Sequence, residues 1–171
     1  MDGSIQIYYG GGRGKTTAVL GLGIEAAGIG KSVIMVQFMK SKHADTLELL
    51  KRLEPELQIF RFEKAACSFR DLSPEEKREQ VDNIKNALGY TRKVLGTGQC
   101  DLLILDGIFG LVDYGIISCD ELKEIIMERD ESMDLILTGR SIPDGFYDLA
   151  DCVYSINTEK ETSAQILRKE G

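Results

Sequence analysis

The residues best suited to chemistry lie in a glycine-rich segment, residues 8–17, between an apolar run and a helix-forming run. Glycines let backbone N–H groups turn toward an anion, Lys15 adds a positive charge, and the Thr16 hydroxyl is a ligand that Mg²⁺ accepts. A helix that starts here presents the positive end of its dipole to the same anion. The segment predicts a site for the polyphosphate of a nucleotide such as ATP, bound by Gly10, Gly11, Gly12, Arg13, Gly14, Lys15, Thr16 and Thr17.

The spacing of this phosphate loop is unusual. A glycine is expected five residues before the Gly-Lys pair, yet Tyr9 stands there and the first glycine, Gly10, comes one residue late. The alternative is a glycine-rich turn between a strand and a helix that binds no ligand. The intact run Gly14-Lys15-Thr16-Thr17 and its strand–helix context favour the nucleotide site.

The composition is that of an ordinary soluble domain, with 43% hydrophobic and 29% charged residues in a chain of 171. A net charge of −7 argues against general binding to nucleic acid or anionic lipid. No run approaches the roughly 20 apolar residues of a membrane span, and residues 1–4 lack the character of a signal peptide. We therefore expect a cytoplasmic protein that binds neither nucleic acid nor membrane.

Apolar runs typical of strands alternate with helix-forming segments along the chain. Several strand candidates are almost entirely apolar, as expected of parallel strands covered on both faces. This alternation predicts a three-layer α/β fold of the P-loop NTPase-like (RecA-like) class, with a mostly parallel sheet and helices on both faces. We expect one nucleotide-binding domain at 1–157 and a polar C-terminal tail at 158–171. The predicted strands are 4–9, 32–39, 58–62, 102–106, 135–138 and 152–156, and the predicted helices are 15–27, 45–53, 74–95, 119–129 and 144–149.

Ligands of such sheets bind at the carboxyl ends of the strands, which places three further side chains near the loop. Asp106 ends an apolar run, and we expect it to hold Mg²⁺ together with Thr16; otherwise it caps a turn. Arg140 is expected on phosphate, or else paired with a carboxylate such as Asp144. Lys40 could reach an anion or point into solvent. Gly107 follows Asp106, so no side chain beside it could activate water for hydrolysis.

The four cysteines are too widely spaced for a zinc site or a disulfide framework. Cys100 and Cys152 flank or enter apolar runs, so we expect both to be small core residues.

Residues 5–157 together resemble the phosphate-loop type of corrinoid adenosyltransferases. That family's loop, Gly-Asn-Gly-Lys-Gly-Lys-Thr-Thr, is also one residue short and matches residues 10–17, with substitutions at Gly11 and Arg13. Further parts of the chain are similar to family motifs in the same order. They are residues 28–31 and 36–40, residues 105–106 and Tyr114, and residues 138–140 and 149–153.

The resemblance implies an unusual reaction for a phosphate loop. A reduced corrinoid attacks the ribose C5′ of ATP, so that triphosphate leaves intact and a cobalt–carbon bond forms. Lys15, Arg13 and Mg²⁺ on Thr16 and Asp106 would then stabilise the departing charge, with Lys15 and Asp106 as catalytic residues. A reductase that supplies the corrinoid and a homodimeric assembly are further implied partners.

Several positions depart from the family pattern. The family's glutamate after the aspartate is Gly107, its Phe-x-Trp segment aligns with Cys67-Ser68-Phe69, and its first-helix arginine is Glu25. These departures leave two alternatives open: an ATP-binding relative without transferase activity, such as a corrinoid chaperone or nucleotide sensor, and, less favoured, a small-molecule kinase or NTPase.

Overall fold

The computed structural model describes residues 2–40 and 48–162, and within them the chain forms one parallel sheet of six strands. The spatial order is β3-β2-β4-β5-β1-β6, so β2, β4, β5 and β1 are interior. The two interior strands β2 and β4 are buried at every position, which explains their uninterrupted apolar sequences. The strands are β1 Ile5–Tyr9, β2 Val33–Gln37, β3 Leu57–Arg61, β4 Leu102–Asp106, β5 Asp134–Gly139 and β6 Cys152–Ser155.

Helices connect the strands and cover both faces of the sheet. The long helix α2 starts with a capping box, in which Ser73 and Glu76 satisfy each other's backbone N–H groups. Ser118 caps α4 in a similar way by accepting from Glu121 N. The helices are α1 Lys15–Gly28, α2 Pro74–Thr97, α3 Gly110–Asp113, α4 Cys119–Met127 and α5 Phe146–Leu149, with 3₁₀ turns at Lys51–Leu53 and Phe69–Asp71.

Two apolar clusters lie on opposite faces of the sheet. On one face Val19 of α1 packs with β2, β3, β4 and β5. On the other face, Ile84 and Leu95 of α2 and Leu122 of α4 pack with the sheet in the larger cluster. The predicted three-layer α/β architecture is therefore confirmed.

The predicted element boundaries agree with the structure to within two residues for every strand. Strand β2 ends two residues early, at Gln37, because Met39 adopts a left-handed backbone with φ 57°. Of the predicted helix 45–53, residues 45–47 lie outside the described residues, 48–50 are helical, and the 3₁₀ turn follows. The short helix α3 and the turn Phe69–Asp71 were not predicted. Most of the predicted tail, residues 163–171, also lies outside the described part of the chain.

Of the two cysteine predictions, one is confirmed and one is wrong. Cys100 is buried, as expected, and burial raises the pKa of its thiol to about 11. Cys152 is exposed, so its placement in the core was wrong. The reason is its position on β6, an edge strand whose residues are mostly solvent-accessible.

No helix in residues 2–40 and 48–162 combines the length and the hydropathy that crossing a bilayer requires.

The turn after β4 depends on glycine at position 107. Gly107 has φ 79°, and a Cβ built there would lie 2.5 Å from the Phe38 carbonyl oxygen. Phe38 N in turn donates to Asp106 O at 2.8 Å, so the two chain segments are held close together. A side chain at this position would require an unfavourable backbone conformation and a displacement of Phe38.

We therefore expect Gly107→Ala to lower the free energy of unfolding by about 2 kcal/mol or more, measured by urea denaturation. Gly89→Ala is the matched control, because Gly89 lies exposed in α2 with open space around its Cβ position. Alanine there should raise stability by about 0.5–1 kcal/mol. Equal effects of the two substitutions would contradict the packing described for the turn.

Candidate active site

A cavity of about 500 Å³ lies at the carboxyl edge of the sheet. The phosphate loop after β1, Lys40 after β2, Asp106 at the end of β4 and Arg140 after β5 all line it. Of the residues predicted from the sequence, the structure brings eight to this cavity: Gly12, Arg13, Gly14, Lys15, Thr16, Lys40, Asp106 and Arg140. Gly10, Gly11 and Thr17 belong to the same loop and helix but do not line the cavity wall.

Neighbouring strands anchor the first half of the loop. Gly10 N donates to Gly139 O at 3.2 Å, and Gly12 N donates to Ile156 O at 3.0 Å. These two amides are therefore engaged with the protein itself. The residues at the start of α1, in contrast, line the cavity.

The start of α1 differs from the starts of α2 and α4, which serine side chains cap. Gly14 precedes α1, offers no side-chain cap, and the first turn carries no acidic residue. The first N–H groups of a helix have no acceptor within the helix. Because the first residues of α1 line the cavity, the uncapped, positive end of the helix dipole lies where an anion could bind.

Lys15 is folded back onto the loop. Its Nζ donates to Gly10 O at 2.5 Å and to Gly12 O at 2.9 Å. Burial lowers the pKa of Lys15, and repulsion from Lys40 and Arg140 lowers it further, whereas Asp106 opposes the shift. A set of cations therefore converges at this cavity, in a chain whose net charge is −7.

Asp106 is the polar centre of the site and only 1% exposed. Its Oδ1 accepts from the Thr138 hydroxyl at 2.7 Å, and its Oδ2 accepts from the Thr16 hydroxyl at 2.9 Å and from Gln37 Nε2 at 3.3 Å. The Thr138 oxygen also accepts from Gly107 N at 2.7 Å. The carboxylate is thus oriented by donors from β2, β5 and the phosphate loop.

A second row of polar side chains supports Asp106, and sequence reasoning missed it. Arg61 donates through Nε and Nη2 to Gln37 Oε1, at 3.2 and 2.6 Å. Burial lowers the pKa of Arg61. Arg61, Gln37 and Asp106 are register partners at the last positions of β3, β2 and β4. The sequence does contain a signal for this row, because each of the three apolar strand segments ends in a polar residue.

Lys40 bridges the loop and the carboxylate. Its Nζ donates to the Thr16 hydroxyl at 2.9 Å and lies 3.6 Å from Asp106 Oδ2. Arg140 also lines the cavity but is exposed to solvent. Within residues 2–40 and 48–162, Arg140 forms no ion pair with Asp144, the alternative considered for it.

An aromatic pair forms another part of the cavity wall. The rings of Phe69 and Tyr114 meet edge to face, with centroids 5.3 Å apart, and Lys77 Nζ lies 5.9 Å from the Phe69 centroid. Phe69 lies in the unpredicted 3₁₀ turn, and Tyr114 directly follows α3. The cavity therefore has a cationic side and an aromatic side.

The Thr16 hydroxyl and the Asp106 carboxylate fit Mg²⁺. Both are hard oxygen donors, and they lie 2.9 Å apart. Mg²⁺ bound beside a nucleotide takes one or two protein ligands, with phosphate oxygens and waters for the rest. No group of three or more metal-binding side chains exists among the described residues, which is consistent with that mode rather than a protein cage.

Comparison with known proteins agrees with this geometry. The family described as ATP:corrinoid adenosyltransferase BtuR/CobO/CobP matches residues 1–171. The corrinoid adenosyltransferase of Escherichia coli (strain K12) is 28% identical over 158 residues, which cover 92% of this chain and 78% of the relative. Corrinoid adenosyltransferase CobA of Salmonella typhimurium (strain LT2) is 29% identical over 160 residues, with the same shares covered.

The solved structure of KaiC-like protein PH0186 from Pyrococcus horikoshii OT3 aligns with a TM-score of 0.58 at 16% identity. The alignment covers 95% of this chain and 76% of that chain, and the predicted RecA-like fold class is thereby confirmed. Because the family match extends over residues 1–171, and these two bacterial relatives are named corrinoid adenosyltransferases, the chain belongs to the ATP:corrinoid adenosyltransferase family.

Proposed function

We propose that this protein transfers the 5′-deoxyadenosyl group of ATP to the cobalt of a reduced corrinoid and releases intact triphosphate. The observation that carries the proposal is one cavity with two chemically different sides. The phosphate loop, Lys15, Lys40 and Arg140 form a cationic side, and Phe69 and Tyr114 form an aromatic side. A transferase that joins a nucleotide to a large, partly apolar second substrate needs both.

The cationic side suits a triphosphate that leaves as one unit. In the reaction the reduced cobalt supplies an electron pair to C5′ of the ribose, the C5′–O bond breaks, and the triphosphate takes the electrons of that bond. Lys15, with Arg13 and Arg140, would stabilise the added negative charge. Lys15 must then leave the carbonyls of Gly10 and Gly12 to which it donates here.

We assign Thr16 and Asp106 as ligands of Mg²⁺, which would neutralise phosphate charge when it is bound. Asp106 is suited to this role because its Oδ2 lies 2.9 Å from the Thr16 hydroxyl, while Thr138 and Gln37 fix the orientation of the carboxylate. The same donors hold the carboxylate in place between turnovers.

The acidic side chains around the cavity favour transfer over hydrolysis. Among the described residues that line it, the carboxylates are Asp106 and Asp113. Asp106 accepts from Thr138, Thr16 and Gln37, and Asp113 accepts from Ser141 at 3.2 Å on the exposed rim. With Gly107 beside Asp106, neither of these two carboxylates is poised to activate water against a phosphate, and transfer to cobalt requires no such base.

Further aspects of the proposal follow from the family. We propose a cytoplasmic enzyme whose residues 1–157 form one domain, with a reductase that supplies the reduced corrinoid and a homodimer as its assembly. We propose no nucleic-acid or membrane partner, in keeping with the net charge of −7.

A second candidate function is ATP binding without transfer, as in a corrinoid chaperone or nucleotide sensor. The geometry of Gly107 favours it, because φ 79° and the close Phe38 carbonyl disfavour any side chain where the family has glutamate. If that glutamate is indispensable for transfer, this chain has lost the reaction while keeping the nucleotide site.

The two candidates differ in their products. Incubation with ATP, Mg²⁺ and chemically reduced cobalamin should yield inorganic triphosphate and a cobalt–carbon absorption spectrum in equal amounts. ATP binding with neither product would support the second candidate. ADP with free or transferred phosphate would contradict both and indicate a kinase or NTPase.

The aromatic wall gives a prediction about the corrinoid. Tyr114→Leu should raise the KM for corrinoid by about three- to tenfold, the effect of losing one aromatic contact, while the ATP dissociation constant stays unchanged. Tyr147→Leu is the control, because Tyr147 is 64% exposed on α5 and does not line the cavity. Steady-state kinetics with each substrate varied would check this, and equal KM values in the two variants would argue against the wall as a corrinoid contact.

A further inference from the structure

Lys40, Thr16 and Asp106 form a closed group of contacts at the bottom of the cavity. Lys40 Nζ donates to Thr16 Oγ1, Thr16 Oγ1 donates to Asp106 Oδ2, and Lys40 Nζ lies 3.6 Å from that same Oδ2. We propose that the Lys40 ammonium occupies the position of the divalent cation in the metal-free protein and exchanges with it when metal binds. This inference rests on the proposed assignment of Thr16 and Asp106 as metal ligands.

The ammonium and the metal need the same atoms. A metal on Thr16 needs a lone pair of the hydroxyl oxygen, and Lys40 uses one of those lone pairs now. A metal held by both residues would take Asp106 Oδ2, because this is the carboxylate oxygen that lies 2.9 Å from the Thr16 hydroxyl. Two cations cannot share one hydroxyl oxygen and one carboxylate oxygen at these distances without strong repulsion. Binding of one therefore excludes the other.

The backbone around Lys40 is built to hold the ammonium there. Met39 has φ 57°, a conformation that residues other than glycine adopt infrequently. The buried carboxylate of Glu63 stabilises it by accepting from the backbone N–H groups of Lys40 and Met39. These hydrogen bonds fix the start of the Lys40 side chain at the edge of the cavity, and its length carries the ammonium to Thr16.

The exchange has a use in the reaction. A buried carboxylate without a counter-ion is costly, and Lys40 supplies that counter-ion until the metal replaces it. The released ammonium stays attached to the same fixed turn, at the wall of a cavity that Lys15 and Arg140 also line. There it adds a positive charge for the triphosphate that arrives with the metal.

The test measures the affinity of the protein for Mn²⁺, a paramagnetic substitute for Mg²⁺, in the absence of nucleotide. Binding is measured as the loss of the electron paramagnetic resonance signal of the free ion. Lys40→Met and Lys40→Gln remove the competing charge, so both should bind Mn²⁺ more tightly, by about tenfold or more. Two neutral replacements guard against a folding defect in either one. The side chain is about one-third exposed, so both proteins should fold.

Lys31→Met is the matched control. Lys31 pairs with Asp134 at 2.9 Å, at the opposite edge of the sheet, so this change also frees a carboxylate from a lysine. It should leave Mn²⁺ affinity unchanged. Unchanged or weaker Mn²⁺ binding in both Lys40 variants would overturn the exchange, and weaker ATP binding without tighter Mn²⁺ binding would make Lys40 a phosphate ligand only. The titration contains no ATP, so failure of the unchanged protein to bind ATP would contradict the proposed function separately.

Discussion

One buried carboxylate constrains the whole carboxyl edge of this sheet. Asp106 is 1% exposed, and an ionised group at that depth is stable only if surrounding donors replace water. Each donor comes from a different neighbour: Gln37 from β2, Thr138 from β5 and Thr16 from the start of α1. The order of the strands puts β4 between β2 and β5, so the topology itself brings these groups together. The phosphate loop is thereby tied to the sheet through Thr16.

The cationic side chains of this site have hydrogen-bond partners within the protein, and a bound substrate would have to replace those contacts. Lys15 donates to carbonyls of its own loop, and Lys40 donates to the Thr16 hydroxyl. Both ammonium groups therefore have partners that a triphosphate and a metal would replace with stronger, charge-assisted ones. Substrate binding would therefore replace one set of contacts by another. The contacts within the protein also reduce the free-energy cost of holding several cations close together.

The sequence correctly predicts those parts of the structure that depend on local patterns. Apolar runs located the strands, because buried parallel strands need such runs, and the loop and Asp106 followed from their places at strand ends. The Gln37–Arg61 row was missed because it depends on strand order, which brings residues 24 positions apart into contact. Gly107 was identified as a departure from the family, but its backbone angle and its closeness to Phe38 are tertiary facts. Cys152 was misplaced because its apolar neighbours do not reveal that β6 is an edge strand.

The central claim is that the loop and Lys15 hold the triphosphate of ATP, and competition by inorganic triphosphate tests it most directly. With Mg²⁺ present, calorimetry should show inorganic triphosphate displacing ATP from the unchanged protein. Lys15→Met should weaken binding of both ligands to a similar degree, by about 10- to 100-fold, as expected for one charge-assisted contact. Inorganic triphosphate that fails to compete, or an ATP affinity that Lys15→Met leaves intact, would contradict the account.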